Sequence, residues 1–261
     1  MKSLCLLDFK PSYWKVQIGI LGKITHLPMQ NCYLCFMKFG WQVLNFVWLE
    51  LKLEYRLKYA IAGLLMYVLS TVYLVYFSLE YQGVRADLVP TIWSIFFWLI
   101  VLFTTVNATF QSFSKLTQGK MLLYYTLVSP EVFIAAKLIV NALVSLILSL
   151  LTGLIFVFIL GNPSQQFSVL LLSLCIGTIG YSLLFTYISA IASKSGGNAS
   201  LAVVLGFPLA LPLLSIIVKL FGESFNPSLS LNFDNNLWIA LGFNFIPLLL
   251  ALILFPYIWR D

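Results

Sequence analysis

Charge is the scarcest property of this 261-residue chain: Asp, Glu, Lys and Arg together make up 9% of it, while 61% is hydrophobic. Soluble domains run at about 25% charged and about 45–50% apolar. A chain this poor in charge has too little polar surface to cover itself in water. That excludes a soluble enzyme, a disordered regulator and a nucleic-acid binder, despite a formal net charge of +6. Histidine occurs once, at His26. The four cysteines are Cys5, Cys32, Cys35 and Cys175; three fall on the side expected to be reducing and one within a span, so no disulfide framework is indicated. Cys32 and Cys35 form a lone C-x-x-C without the further ligands a metal site needs. There is no Ser/His/Asp set, no metal cluster and no G-x-x-x-x-G-K-[ST] phosphate loop. The polypeptide is therefore not an enzyme by itself and does not hydrolyse ATP.

What the chain has in plenty is uncharged runs of roughly 20 residues, the length that crosses a bilayer. Six segments qualify: Ala60–Leu79, Leu88–Phe110, Leu138–Leu160 (with an earlier start at Val132 left open), Phe167–Ser193, Ala199–Val218 and Leu237–Trp259. All read as helices, because a lipid-facing backbone must satisfy its own hydrogen bonds. The alternating ten-residue segments of an outer-membrane barrel are absent. The expected fold is an all-α, six-span membrane protein preceded by an amphipathic helix.

Lys and Arg concentrate before the first span (Lys2, Lys10, Lys15, Lys23, Lys38, Lys52, Arg56, Lys58) and recur at Lys115, Lys120, Lys137, Lys194 and Arg260. The opposite side carries Arg85 and Lys219 against Glu80, Asp87, Glu223 and Asp234. The positive-inside rule then puts both termini in the cytoplasm.

Residues 1–36 are irregular and lack the apolar core and cleavage site of a signal peptide. They read either as a cytoplasmic extension or as the product of an upstream start codon, with Met37 the first true residue; the second reading is favoured slightly. Residues 37–59 are expected to form the entry helix and 60–261 a six-helix transmembrane domain. In the entry helix Trp41, Leu44, Trp48, Leu51 and Tyr55 make one apolar stripe, and Lys38, Gln42, Asn45, Lys52 and Arg56 another face. Trp41 and Trp48 beside the basic Lys52 and Arg56 suit a helix lying among lipid headgroups; packing on the protein's own cytoplasmic side is the plainer alternative.

No Asp, Glu or His falls inside a span, which disfavours a secondary carrier. Lys137 is expected to snorkel toward the cytoplasm. Asn107, Asn141 and Asn244 are the polar candidates for bridging helices. Any uphill transport must draw energy from another subunit.

The longest polar cytoplasmic connection, Gln111–Val132, is broken by Gly119 and carries Met121, Leu122, Tyr124 and Tyr125. Ser129, Pro130 and Glu131 then read as N-cap, first position and dipole-favoured acid of the third span. A short aromatic helix there suits docking into a partner groove as well as it suits a mere cover over the bundle. The next turn, Lys194-Ser195-Gly196-Gly197-Asn198, is tight. Pro208 and Pro212 in the fifth span predict a kinked or broken helix. In the long outer loop Phe221–Asn236, Phe221, Phe225 and Phe233 are expected to lie along the membrane surface.

From about Met37 onward the chain resembles the heme exporter protein B family (CcmB), the membrane permease subunit of the ABC-type cytochrome c maturation complex. The resemblance rests on the basic-aromatic entry helix ending in Leu51–Arg56 and on Gly119 leading to Val128-Ser129-Pro130 and Ala136-Lys137. Its most specific part is Ser195-Gly196-Gly197 followed by LAVVLGFPLALPLLSI. The chain departs from the pattern at Gln118, Lys120 and Leu122, where acidic residues are common in the family. The resemblance implies a bacterial inner-membrane permease of the ABC-2 type, present in two copies, with the Gly119 connection as coupling helix to a CcmA-like ATPase that binds ATP. CcmC-like and CcmD-like membrane subunits and a CcmE-like heme chaperone are the implied partners, and heme the implied substrate. With no histidine in a span or outer loop to ligate heme, the chain reads first as a mechanical transmitter and second as a heme conduit. An ABC-2 permease for a drug, lipid or polysaccharide, or a non-transporting membrane scaffold, are the alternatives.

Overall fold

The computed structural model describes residues 30–56, 58–82, 89–114, 129–161, 164–194, 199–226 and 233–260. Every regular element among them is helical. In order they are α1 (Gln30–Arg56), α2 (Lys58–Gln82), α3 (Val89–Ser114), α4 (Pro130–Leu160), α5 (Phe167–Lys194), α6 (Ala199–Gly222), a 3-10 turn (Glu223–Phe225) and α7 (Phe233–Arg260). Contacts divide the chain into Met1–Gly40 and Trp41–Asp261, and the helical bundle is the second unit.

Five helices carry stretches long and apolar enough to cross a membrane: Pro90–Phe113, Pro130–Leu160, Phe167–Ser193, Val204–Phe225 and Phe233–Phe255. The third span thus starts at Pro130, before both of the starts expected from its apolar run, Leu138 and Val132. The chain is a multi-pass membrane protein. In α2 the apolar stretch is shorter, Ala62–Ser78, although the helix runs for 25 residues.

Helix α5 is the hub, packing against α3, α4, α6 and α7, while α2 lies against α3 and α4. Two glycines allow that close approach. A Cβ at Gly177 would overlap the Trp98 ring and lie 2.7 Å from Ile217 Cγ2; one at Gly180 would overlap the Asn244 amide. The α3 face that packs inward carries Thr104, Thr105 and Thr109, each buried. Their hydroxyls donate one turn back to the carbonyls of Ile100, Val101 and Thr105 at 2.7, 2.8 and 2.9 Å. These three hydroxyls are thus satisfied by their own helix.

At the end of the bundle where α3 begins, rings fill the core. Trp93 and Phe97 each stack on Phe221, at 5.6 and 5.3 Å between centroids, and Phe156 meets Phe97 edge-on at 5.5 Å. This corrects the surface placement expected for Phe221, which is fully buried, and for Phe225, which packs on Trp93 and Phe221. The apolar run does not stop at the exposed Lys219. Residues two positions apart on a helix face nearly opposite ways, so Lys219 points outward while Phe221, beside the buried Leu220, points in. Phe233 opens α7.

The fifth span is also not broken. Helix α6 continues through both Pro208 and Pro212, and both prolines are exposed on its outer side rather than turned to the core. The lost backbone donors therefore fall on the exposed face of α6.

Candidate coupling site

The end of α3 and the start of α4 flank residues 115–128, which lie outside the described residues together with Gly119, Met121, Leu122, Tyr124 and Tyr125. Their two anchors are well defined. Helix α4 starts with Pro130 at its first position, where its fixed φ and missing N–H cost nothing. Ser129 occupies the N-cap position in extended backbone, but its hydroxyl makes no capping bond; its carbonyl accepts the Phe133 N–H at 3.1 Å. Glu131 sits in the first turn, where a negative charge suits the helix dipole.

Two turns further in, Lys137 does not snorkel. It is 1% exposed, and its Nζ donates to Glu50 Oε2 at 2.7 Å, to the Ser112 carbonyl at 3.1 Å and to Ser112 Oγ at 3.1 Å. An ammonium has three donors, and all three are used. The Phe113 ring lies 5.7 Å from the same nitrogen. Glu50 is itself 4% exposed, on α1. One ion pair thus joins α1, the last turn of α3 and the second turn of α4. Phe46 and Phe255 pack on Phe133, one helical turn before Lys137, each with ring centroids 5.9 Å from it.

Glu50 was legible in principle. Val43, Phe46, Val47 and Glu50 follow the i, i+3, i+4, i+7 spacing of a buried helical face, and all four are buried. A lone carboxylate at the end of such a stripe demands a cation opposite it. The stripe of Trp41, Leu44 and Trp48 is instead the exposed one, on the other side of α1; Lys52 is exposed and Leu51 half-buried. Arg56 ends the helix.

The three asparagines divide. Asn141 Nδ2 donates to Thr186 Oγ1 at 3.0 Å, joining α4 to α5, and Asn244 Nδ2 donates to the Ile176 carbonyl at 3.0 Å, joining α7 to α5. Asn107 bridges nothing: it is exposed, and its Nδ2 donates within α3 to the Phe103 carbonyl at 3.0 Å. Of the other candidate turn, Lys194 is the last residue of α5, while Ser195, Gly196 and Gly197 lie outside the described residues. Among the described residues no group of three His, Cys, Asp or Glu side chains is placed to hold a metal ion.

A family model described as CcmB protein matches residues 41–257, most of the chain and nearly all of its second unit. The chain belongs to the CcmB protein family. No curated protein and no solved structure matches it. Membership of the CcmB family carries the role of a membrane permease subunit in heme export, in an ABC complex with other Ccm subunits. Within this CcmB chain, the match takes in the Glu50–Lys137 pair and both anchors of the 115–128 connection.

Proposed function

We propose that the chain is the permease subunit that couples ATP hydrolysis by a CcmA-like partner to heme handling in c-type cytochrome biogenesis. The action is either heme export or release of a heme-loaded CcmE-like chaperone. The observation that carries this reading is the family match over residues 41–257. The braced end of the bundle, where α1, α3 and α4 meet around Lys137, supports it. A connection that receives force from an ATPase needs rigid anchors on both sides, and Ser112 and Pro130 sit on such anchors.

In this reading α2 is a sixth span, since about 25 helical residues reach some 37 Å at 1.5 Å each and so outspan the hydrocarbon core. Both termini then face the cytoplasm of a bacterial inner membrane, and the exposed Trp41, Leu44 and Trp48 of α1 lie among lipid headgroups. Two copies would assemble with two ATPases and with CcmC-like and CcmD-like subunits. The chain acts as a mechanical transmitter: its bundle core is filled with side chains such as Trp93, Phe97 and Phe221, with no histidine in a span to ligate heme.

A mild-detergent pull-down from the native host, with a C-terminal tag and mass spectrometry of what comes with it, tests the proposal. Recovery of an ABC ATPase together with cytochrome c maturation proteins supports it. An ATPase without those proteins points to an ABC-2 exporter of another substrate. An intact complex with no ATPase leaves a scaffold.

A further inference from the structure

Lys137 and Glu50 form a buried ion pair for which stability offers no explanation. Removing two charges from water costs several kcal/mol per ion, and replacing such a pair by well-packed apolar residues is often neutral or stabilising. What an ion pair has and an apolar contact lacks is direction. Apolar surfaces slide past one another at little cost, whereas the Lys137 ammonium has its three donors on three acceptors from two other helices. Moving α1, α3 or α4 apart leaves a buried charge or carbonyl unpartnered, and that cost rises steeply with displacement.

The location gives that rigidity a use. Ser112 lies in the last turn of α3, just before residue 115, and Lys137 lies two turns after Pro130, so the pair spans the two anchors of the 115–128 connection. Glu50 adds α1, whose opposite face carries the exposed Trp41 and Trp48. We infer that Glu50 and Lys137 are positioning residues: their pair clasps α1 to both anchors of the connection, so that a load applied there moves α1, α3 and α4 as one body. The inference rests on the permease reading for the source of the load, but the clasp itself is a property of this chain alone.

The test uses the full-length chain in lipid nanodiscs, with Cys5, Cys32, Cys35 and Cys175 replaced by alanine. Nitroxide labels go on Asn45→Cys in α1 and Glu131→Cys in α4, both exposed positions. The deciding variant is the apolar pair Glu50→Leu with Lys137→Met, compared with the labelled parent in pulsed dipolar spectroscopy and thermal unfolding. The expected result is an unchanged melting temperature with the single narrow α1–α4 distance of the parent replaced by a broad or double distribution. An unchanged narrow distribution overturns the inference, because apolar packing alone would then hold α1 in register. A double variant that no longer folds also overturns it, because the pair would then be a stability element.

The same variant in the complex recovered from the host should keep its partners while ATP-driven activity falls about tenfold, the scale of a typical coupling energy. If the parent recovers no ATPase, the permease reading fails while the distance measurement still decides the clasp.

Discussion

Asn244 donates from α7 to the Ile176 carbonyl of α5 at 3.0 Å, and its amide oxygen rests against Gly180 one turn further along the same helix. The bond and the glycine need each other. Without a bare backbone at residue 180 the amide has no room to reach residue 176, and without the bond the approach of α7 to α5 has no fixed register.

Replacing Gly180 with Ala should therefore destabilise the bundle by about 1–3 kcal/mol, the cost of overpacking a filled site. Asn244→Ala alone should cost about 1 kcal/mol, the range for a hydrogen bond between membrane helices. Because the added methyl in Gly180→Ala meets the very group that Asn244→Ala removes, the double variant should be more stable than the sum of the two. Thermal unfolding in detergent, read by size-exclusion recovery, gives all three values; strict additivity would refute the link.

Asn141 and Asn107 make a contrasting pair. Asn141→Leu leaves Thr186 without its donor between α4 and α5 and should lower stability by about 1 kcal/mol. Asn107 is exposed and bonds only within α3. Asn107→Leu should leave the melting temperature unchanged or raise it, since a Leu is better suited than an amide to lipid. A fall as large as that of Asn141→Leu would mean that α3 presents residue 107 to another protein surface.

On α1 the exposed apolar facet and the Lys52 facet should sit at different depths. A nitroxide at Leu44→Cys or Trp48→Cys should be relaxed more by oxygen, which partitions into lipid, than by a water-soluble nickel chelate. A label at Lys52→Cys should show the reverse. Equal accessibility at all three positions would place the facet in water and remove the headgroup reading of α1.

Within the permease proposal, Tyr124→Ala combined with Tyr125→Ala should release the ATPase or uncouple it, lowering recovered ATPase activity about tenfold. A scaffold would show no such loss. Pull-down yield and ATP hydrolysis measured on the same preparation separate release from uncoupling.

Single breaks of the clasp should behave differently from its apolar replacement. Lys137→Met leaves Glu50 as a buried unpaired charge and should lower stability by about 3–5 kcal/mol. Adding Glu50→Leu should restore the stability of the parent. A single variant as stable as the parent would show that water reaches Glu50.

The elements that local chemistry decides were readable from residue order. Hydrophobicity sums along a segment, so the apolar stretches within α3 to α7 stood out, and Pro130 after Ser129 marked the start of α4 because only there is proline harmless. Asn141 and Asn244 also announced themselves, since an amide in an apolar run must find a partner.

What the tertiary structure decided was which way each face turns. Nothing local to Asn107 says that α3 points it outward, nothing near Pro208 and Pro212 says that they line the outside of an unbroken α6, and Phe221 beside the exposed Lys219 gives no sign of its place in a ring stack. Glu50 and Lys137 stand 87 positions apart. Residue order by itself determined that this is an α-helical membrane protein whose third span opens at Ser129 and Pro130. Only packing determined that Lys137 turns inward to Glu50, because the rotation of a helix about its axis is set by its neighbours and not by its own residues.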